Sequence, residues 1–276
     1  MMKIVKNTLS VGATEPFVLL HVSDIHIARA DESESPERRA LAEKRRTRNF
    51  PFSPEAVDFI MEYVKKTGYP IVNTGDLLDF ITPEALRIAK ELIEETDMML
   101  AAGNHEFLRC YKNRFHYDDL PEAYATRVDN LVAVGDALGL DIRFSCREIN
   151  GVNLVCIDDT NYCIDEETFE KLKEVEARGK PILLFMHIPM YSEYLGNGAK
   201  FSTAAPAKYL ENSTPMEVFE RTTDAKTYEF CDYIRKSPLI RCILSGHIHY
   251  NVEILGKDEQ DQIVTGVDTL REITVI

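Results

Sequence analysis

At 276 residues, with 45% apolar and 28% charged side chains, the chain is long enough to bury a large core, and no Ser/Gly/Pro-rich linker divides it, which predicts one domain over 1–276. A formal net charge of -14 argues against wrapping a nucleic acid backbone, although an acidic protein can still act on a phosphate where local cations neutralise both partners. The longest apolar runs, 17–20 and 181–186, are far too short to cross a membrane. Residues 1–7 lack an apolar stretch leading to a small-residue cleavage site, and the six cysteines are scattered without a CxxC pair. These features predict a cytoplasmic protein with buried, reduced thiols rather than a zinc-thiolate site or a disulfide framework.

In chain order, the β-rich run 17–23 ends in Asp24-Ile25-His26. Alternation in an extended segment would put Asp24 and His26 on one face, a spacing at which an oxygen and a nitrogen can grip one ion; a surface turn with an incidental histidine is the alternative. Residues 28–53 mix Arg38, Arg39, Lys44, Arg45, Arg46 and Arg48 with Glu32, Glu34, Glu37 and Glu43, and read either as a solvated helix face or as a cationic flap over a phosphate site. Ser53-Pro54-Glu55 opens an amphipathic helix to about Lys66, with Ser53 as N-cap, and Gly68 stops it. The apolar run from Ile71 then halts at Gly75-Asp76, where glycine allows a tight turn that presents a carboxylate at the sheet rim; ordinary turn chemistry competes with that reading.

A helix from Pro83 to about Glu95, with Thr82 as N-cap, precedes a strand over 98–102 that ends in Gly103-Asn104-His105-Glu106. Strands separated by helices of this length indicate a mostly parallel sheet whose strand ends share one rim. An irregular stretch to about Pro121 includes His116, a loop residue that is one option for touching substrate. Strands are predicted over 131–134, 142–149 and 152–157, with Asn150-Gly151 as a hairpin turn between the last two. Asp158-Asp159-Thr160 reads as turn and cap chemistry. A helix over 166–178 stops at Gly179, and the buried strand 181–186 ends in His187. The long irregular stretch 190–215 is the kind of loop that carries function. A helix over 215–236, interrupted near 222–224, leads to the strand 241–245, which ends in Gly246-His247-Ile248-His249, and strand-like runs follow at 252–255, 262–267 and 273–276.

Asp24, His26, Asp76, Asn104, His187, His247 and His249 thus all fall at predicted strand ends, and these tips hold five of the seven histidines. His21, just inside the first strand, reads as a core residue. Carboxylate, amide and imidazole donors without thiolate suit manganese, iron or zinc, and seven ligands suit two ions if one carboxylate bridges them.

The ordered set Asp24-x-His26, Gly75-Asp76, Gly103-Asn104-His105-Glu106, His187 and Gly246-His247-x-His249 resembles the five-motif signature of the calcineurin-like metallophosphoesterases. The resemblance implies an α/β fold, a four-layer αββα sandwich of two mixed β-sheets flanked by helices, with loop insertions here at about 28–53 and 190–215. It also implies two divalent or trivalent metal ions. Asp24, His26 and His249 would hold the first, Asn104, His187 and His247 the second, and Asp76 would bridge them. His105 would bind the substrate phosphate beside Asn104 and protonate the leaving oxygen, and Asp79 stands where the protein-phosphatase branch has an acid that orients that histidine. The implied activity is phosphoester hydrolysis by a metal-bridging hydroxide. Phe80-Ile81 follows Asp79 where that branch carries a phosphate-clamping arginine, so a small phosphorylated substrate, a phosphodiester or nucleotide before a phosphomonoester, is expected over a phosphoprotein. A nuclease guided by the basic cluster 38–48 and a non-catalytic binding module are the alternatives from other classes.

Overall fold

Residues 2–107 and 125–276 are the described part of the computed structural model, and the eleven strands among them pair into two mixed sheets. The first sheet runs β1 (Lys3–Leu9), β11 (Thr269–Val275), β2 (Phe17–Val22), β3 (Ile71–Asn73), β4 (Met99–Leu100). Strands β2, β3 and β4 are parallel, while β11 is antiparallel to β2 and parallel to β1. The second runs β5 (Phe144–Ile149), β6 (Val152–Ile157), β7 (Ile182–Phe185), β8 (Ile240–Ser245), β10 (Gln262–Val264), β9 (Val252–Ile254), parallel from β6 to β10 with an antiparallel strand at each edge.

Both faces of the central strands are covered, which is why they read as unbroken apolar runs. Along β2, Leu19 enters the space between the sheets while Leu20 and Val22 meet the helices outside. In β7, Leu183 and Phe185 point inward and Ile182 and Leu184 outward. Helices α2 (Ser53–Thr67), α3 (Pro83–Thr96) and α4 (Arg127–Leu138) cover the first sheet through Ile60, Leu92 and Leu131. Helices α5 (Glu166–Glu176) and α7 (Ala225–Lys236) cover the second through Phe169 and Phe230. The layers are therefore those of the expected αββα sandwich.

Local chemistry explains most boundaries. Thr82 caps α3, its Oγ1 accepting from Ala85 N at 3.0 Å. Asn150 and Gly151 have φ +46° and +79°, the two positive values that a tight two-residue hairpin requires. The helical break at 222–224 is real: α6 (Pro215–Arg221) ends there, and Asp224 caps α7 by accepting from Thr227 N at 2.7 Å.

Two expectations need correction, and one strand is new. Residues 131–134 are helical within α4, where Leu131, Val134 and Leu138 are buried at helical spacing and Val132 is exposed; four apolar residues in a row do not reveal their own period. Ser53 lies in the first turn of α2 instead of capping it, because Phe52 is already helical (φ -78°, ψ -21°), and its hydroxyl donates to the His26 carbonyl at 3.1 Å. Strand β1 is an addition: it is an edge strand exposed along much of its length, with too few buried residues to show a pattern.

The segment 28–53 forms α1 (Pro36–Lys44) and a π-helical turn, Arg45–Asn49. The segment 190–215 forms 3-10 turns at Glu193–Phe201 and Ala207–Tyr209, with Leu195 and Ala199 packed on Ile248. Cys146, Cys156, Cys163, Cys231 and Cys242 are unpaired, and no helix among the described residues is long and apolar enough to cross a membrane. His116 and Cys110 lie outside the described residues.

Candidate metal centre

Five strands, β2, β3, β4, β7 and β8, end at one rim, and the backbone there is bent hard. Asp24, His26, Asp76, His247 and His249 have φ +55°, +52°, +51°, +67° and +64°, five of the nine non-glycine residues with positive φ among those described. Each such conformation costs about 1–3 kcal/mol, and its concentration at these positions marks a site for which the fold gives up stability. It also corrects the expected geometry: Asp24 and His26 converge through left-handed turns after β2 has ended, not through strand alternation. The loops approach so closely that a Cβ at Gly246 would collide with Ser23 Oγ and Asp24 Oδ2, and one at Gly103 with the backbone nitrogen of Asp76.

The seven sequence-predicted donors are brought together in two sets that share Asp76. In the first, His249 Nε2 lies 3.3 Å from both Asp24 Oδ1 and His26 Nε2, and His26 Nε2 lies 3.7 Å from Asp76 Oδ2. In the second, His187 Nε2 lies 3.4 Å from Asp76 Oδ2 and 3.1 Å from Asn104 Oδ1, and His247 Nδ1 lies 3.1 Å from Asn104 Oδ1 and 3.2 Å from His187 Nε2. Donors coordinated at about 2.1 Å stand roughly 3–3.5 Å apart, so both sets have the spacing of a coordination shell.

The carboxylates are divided in the way such shells require. Asp76 Oδ1 accepts from His105 N at 2.9 Å, and Oδ2 faces both sets. Asp24 Oδ2 accepts from His247 N at 3.0 Å, while its buried Oδ1 has no hydrogen-bond partner. A buried, unpartnered carboxylate oxygen beside imidazole nitrogens fits a cation. The electrostatics agree. Burial pushes the Asp76 carboxyl up, but the imidazoles of His187, His105 and His26 outweigh it and hold it well below the usual range. Burial lowers His187, yet Asp76 and Asp24 raise it to about 10, so the pocket draws positive charge.

Behind three of the four rings, those of His187, His247 and His26, lies a second polar contact. His187 Nδ1 donates to the Thr74 carbonyl at 2.7 Å, which turns Nε2 toward Asp76. His247 Nε2 is 2.8 Å from the Tyr162 hydroxyl, and His26 Nδ1 is 3.2 Å from Asp79 Oδ1. Asp159 accepts from the backbone nitrogens of His187 and Ile188, both at 2.9 Å. Glu106 accepts from Asp76, Leu78 and Gly103 nitrogens, and burial, with the charge of Asp76, raises its carboxyl to about 7. His21 is a core residue as expected, held between Thr74 and Thr265 hydroxyls.

Asp79 is placed differently from expectation. Its carboxylate receives Arg45 and faces His26, whereas His105 Nδ1 donates to its main-chain carbonyl at 2.5 Å and stands 3.6 Å from the carboxylate. Arg45, Phe50, Tyr162 and Asp159 are supporting residues that sequence reading missed. Arg45 and Phe50 lay in a mixed-charge stretch, and Asp159 in what looked like turn chemistry.

A family model described as calcineurin-like phosphoesterase matches residues 17–251, so the chain belongs to the calcineurin-like phosphoesterase family. Among solved structures, a dimetal phosphatase from Danio rerio has a TM-score of 0.54 at 14% identity, covering 91% of this chain and 88% of that one, which shows a shared fold. Weaker similarity extends to the phosphopantetheinyl hydrolase of Mycobacterium tuberculosis (14% identity, TM-score 0.44, 90% and 89% covered). It extends also to the calcineurin-like phosphoesterase YfkN of Bacillus subtilis (13%, 0.42, 92% and 82%). No curated protein matches the chain.

Proposed function

We propose that this protein hydrolyses a small phosphate ester, a phosphodiester or nucleotide before a monoester, at a centre of two metal ions. Asp24, His26 and His249 would hold the first, Asn104, His187 and His247 the second, and Asp76 would be shared between them. The observation that carries this reading is Asp76 Oδ2, which faces donors of both sets while Oδ1 is anchored to His105 N. Bound manganese, iron or zinc supplies positive charge that acidifies a water molecule and neutralises phosphoryl oxygens.

The chain's own groups do the rest. His105 Nδ1 donates to the Asp79 carbonyl, which turns Nε2 toward Asp76 Oδ2, 3.9 Å away, where it would give a proton to the leaving oxygen. Asn104 Oδ1 belongs to the second donor set, which leaves its amide N–H groups for a phosphoryl oxygen. Phe80 is buried against Ala28 and Ala42 with Arg38 over its ring, so no phosphate-clamping arginine follows Asp79, which supports a small substrate over a phosphoprotein. The free thiols of the five described cysteines are consistent with the cytoplasm as the compartment of this reading.

The test is hydrolysis of bis(p-nitrophenyl) phosphate beside p-nitrophenyl phosphate by metal-stripped protein with manganese returned, in wild type and Asp76→Asn. Diester cleavage that needs both manganese and Asp76 is expected; preference for the monoester would move the reading to a phosphatase, and turnover unaffected by Asp76→Asn would sink the two-metal centre.

A further inference from the structure

Two side chains of the 28–53 segment reach into the back wall of the first donor set. Arg45, 5% exposed, donates Nε to Asp79 Oδ2 at 2.6 Å and Nη2 to Asp79 Oδ1 at 2.5 Å. That forked contact fixes the carboxylate with Oδ1 3.2 Å from His26 Nδ1, at ion-pair distance and without hydrogen-bond alignment. Phe50, five residues on, meets the face of the same imidazole: its ring stacks on the His26 ring at 3.8 Å between centroids and 11° between planes, and meets His249 edge-on at 5.8 Å. The Arg45 guanidinium also sits 4.8 Å from the Phe50 centroid, so one arginine contacts both Asp79 and the ring that stacks on His26. Arg45 therefore holds the edge of His26 through Asp79 and its face through Phe50.

The backbone of the segment is built for this double contact. The π-helical turn Arg45–Asn49 closes with Phe50 N donating to Arg45 O at 2.9 Å, which brings the two residues to one side of the chain. The next residues enter α2, where Ser53 Oγ donates to the His26 carbonyl, a third tie between the segment and the same residue.

We propose that Arg45 and Phe50 are positioning residues for the first metal position, and that the 28–53 segment is what shapes that position and sets its affinity, without contributing a ligand. A ring held on its edge and on its face keeps Nε2 aimed at the ion, and outer contacts of this kind are worth roughly 10- to 100-fold in metal affinity. The inference rests on the two-metal reading above and deepens it by assigning the two positions different supports, since His187 and His247 lean on Thr74 and Tyr162 instead.

The experiment is manganese titration of the full-length, metal-stripped protein by calorimetry in two backgrounds. His247→Ala disables the second position and reports the first; His249→Ala does the reverse. In the His247→Ala background, Arg45→Met and Phe50→Leu are each expected to weaken manganese binding by about 10- to 100-fold, and in the His249→Ala background to change it by less than about threefold. Equal losses in both backgrounds would show general loosening of the fold and overturn the proposal, as would unchanged affinity in the first. If Arg45→Met does not fold, as judged by circular dichroism, Phe50→Leu, which keeps an apolar filler, decides alone. Wild type that takes up no manganese would overturn the two-metal reading itself, a result distinct from selective or unselective loss in the variants.

Discussion

At the scale of single residues, the site depends on which atom of each side chain is already spoken for. Asp24 and Asp76 each spend one oxygen on a backbone nitrogen and turn the other to the imidazoles. His105 stands apart from the four rings of the two donor sets: its Nδ1 donates to the Asp79 carbonyl, and its Nε2 lies 3.9 Å from Asp76 Oδ2. His105→Ala should therefore leave manganese uptake within about threefold of wild type while lowering turnover of esters with poor leaving groups by roughly 10²- to 10⁴-fold. An equal loss on an activated aryl ester, whose leaving group needs no proton, would speak against a role as acid. The ligands and His105 were legible as residue types at strand ends. Arg45 was not, because nothing in a run of arginines and glutamates distinguishes the one that is buried on a carboxylate from those that face water.

At the scale of elements, strand ends and helix starts place the chemistry, and their signals vary in strength. The glycines before Asp76, Asn104 and His247 announce close approach, and the packing around Gly103 and Gly246 leaves no room for a methyl group. The cap at Thr82 is equally direct. Thr82→Ala should cost about 1 kcal/mol of stability, read as a lower midpoint in urea unfolding with an unchanged slope, and leave turnover per folded molecule intact. A loss of turnover without loss of stability would mean that α3, which begins just after Asp79, also tunes the site. Strand 131–134 failed as an expectation for a reason at this same scale: period cannot be read from four residues, and only the neighbours Arg127, Asn130 and Leu138, buried on the same side, show the helix. The backbone turns at Asp24 and His26 were invisible too, since nothing in Asp-x-His says that both residues adopt left-handed conformations that they ordinarily avoid.

At the scale of the whole molecule, the two sheets share one core, and the centre sits where their strand ends meet, with Asp24, His26, Asp76 and Asn104 from the first sheet and His187, His247 and His249 from the second. Any cation that engages donors of both sheets ties the sheets together and binds only the folded chain. Returning manganese to metal-stripped protein should accordingly raise the thermal midpoint, by an amount corresponding to about 2.7 kcal/mol for each position at a free concentration 100-fold above its dissociation constant. The increase should shrink in Asp76→Asn, which touches both positions; a midpoint indifferent to metal in the wild type would separate the donor cluster from cation binding.

What the sequence determined by itself was the inventory: apolar runs long enough for buried strands, helices of connecting length between them, and carboxylate, amide and imidazole groups at the strand ends in an order that resembles one family. Those are local or ordered features, and a chain carries them explicitly. What only the tertiary structure decided was the division of labour among atoms: which oxygen of Asp76 faces both donor sets, which ring nitrogens of His187 and His247 are tied behind, and that Arg45 meets Asp79 and Phe50 stacks on His26 from a segment that reads as solvated charge. These depend on contacts between residues far apart in the chain and on burial that charge patterning does not announce, so they come into being only when the layers pack.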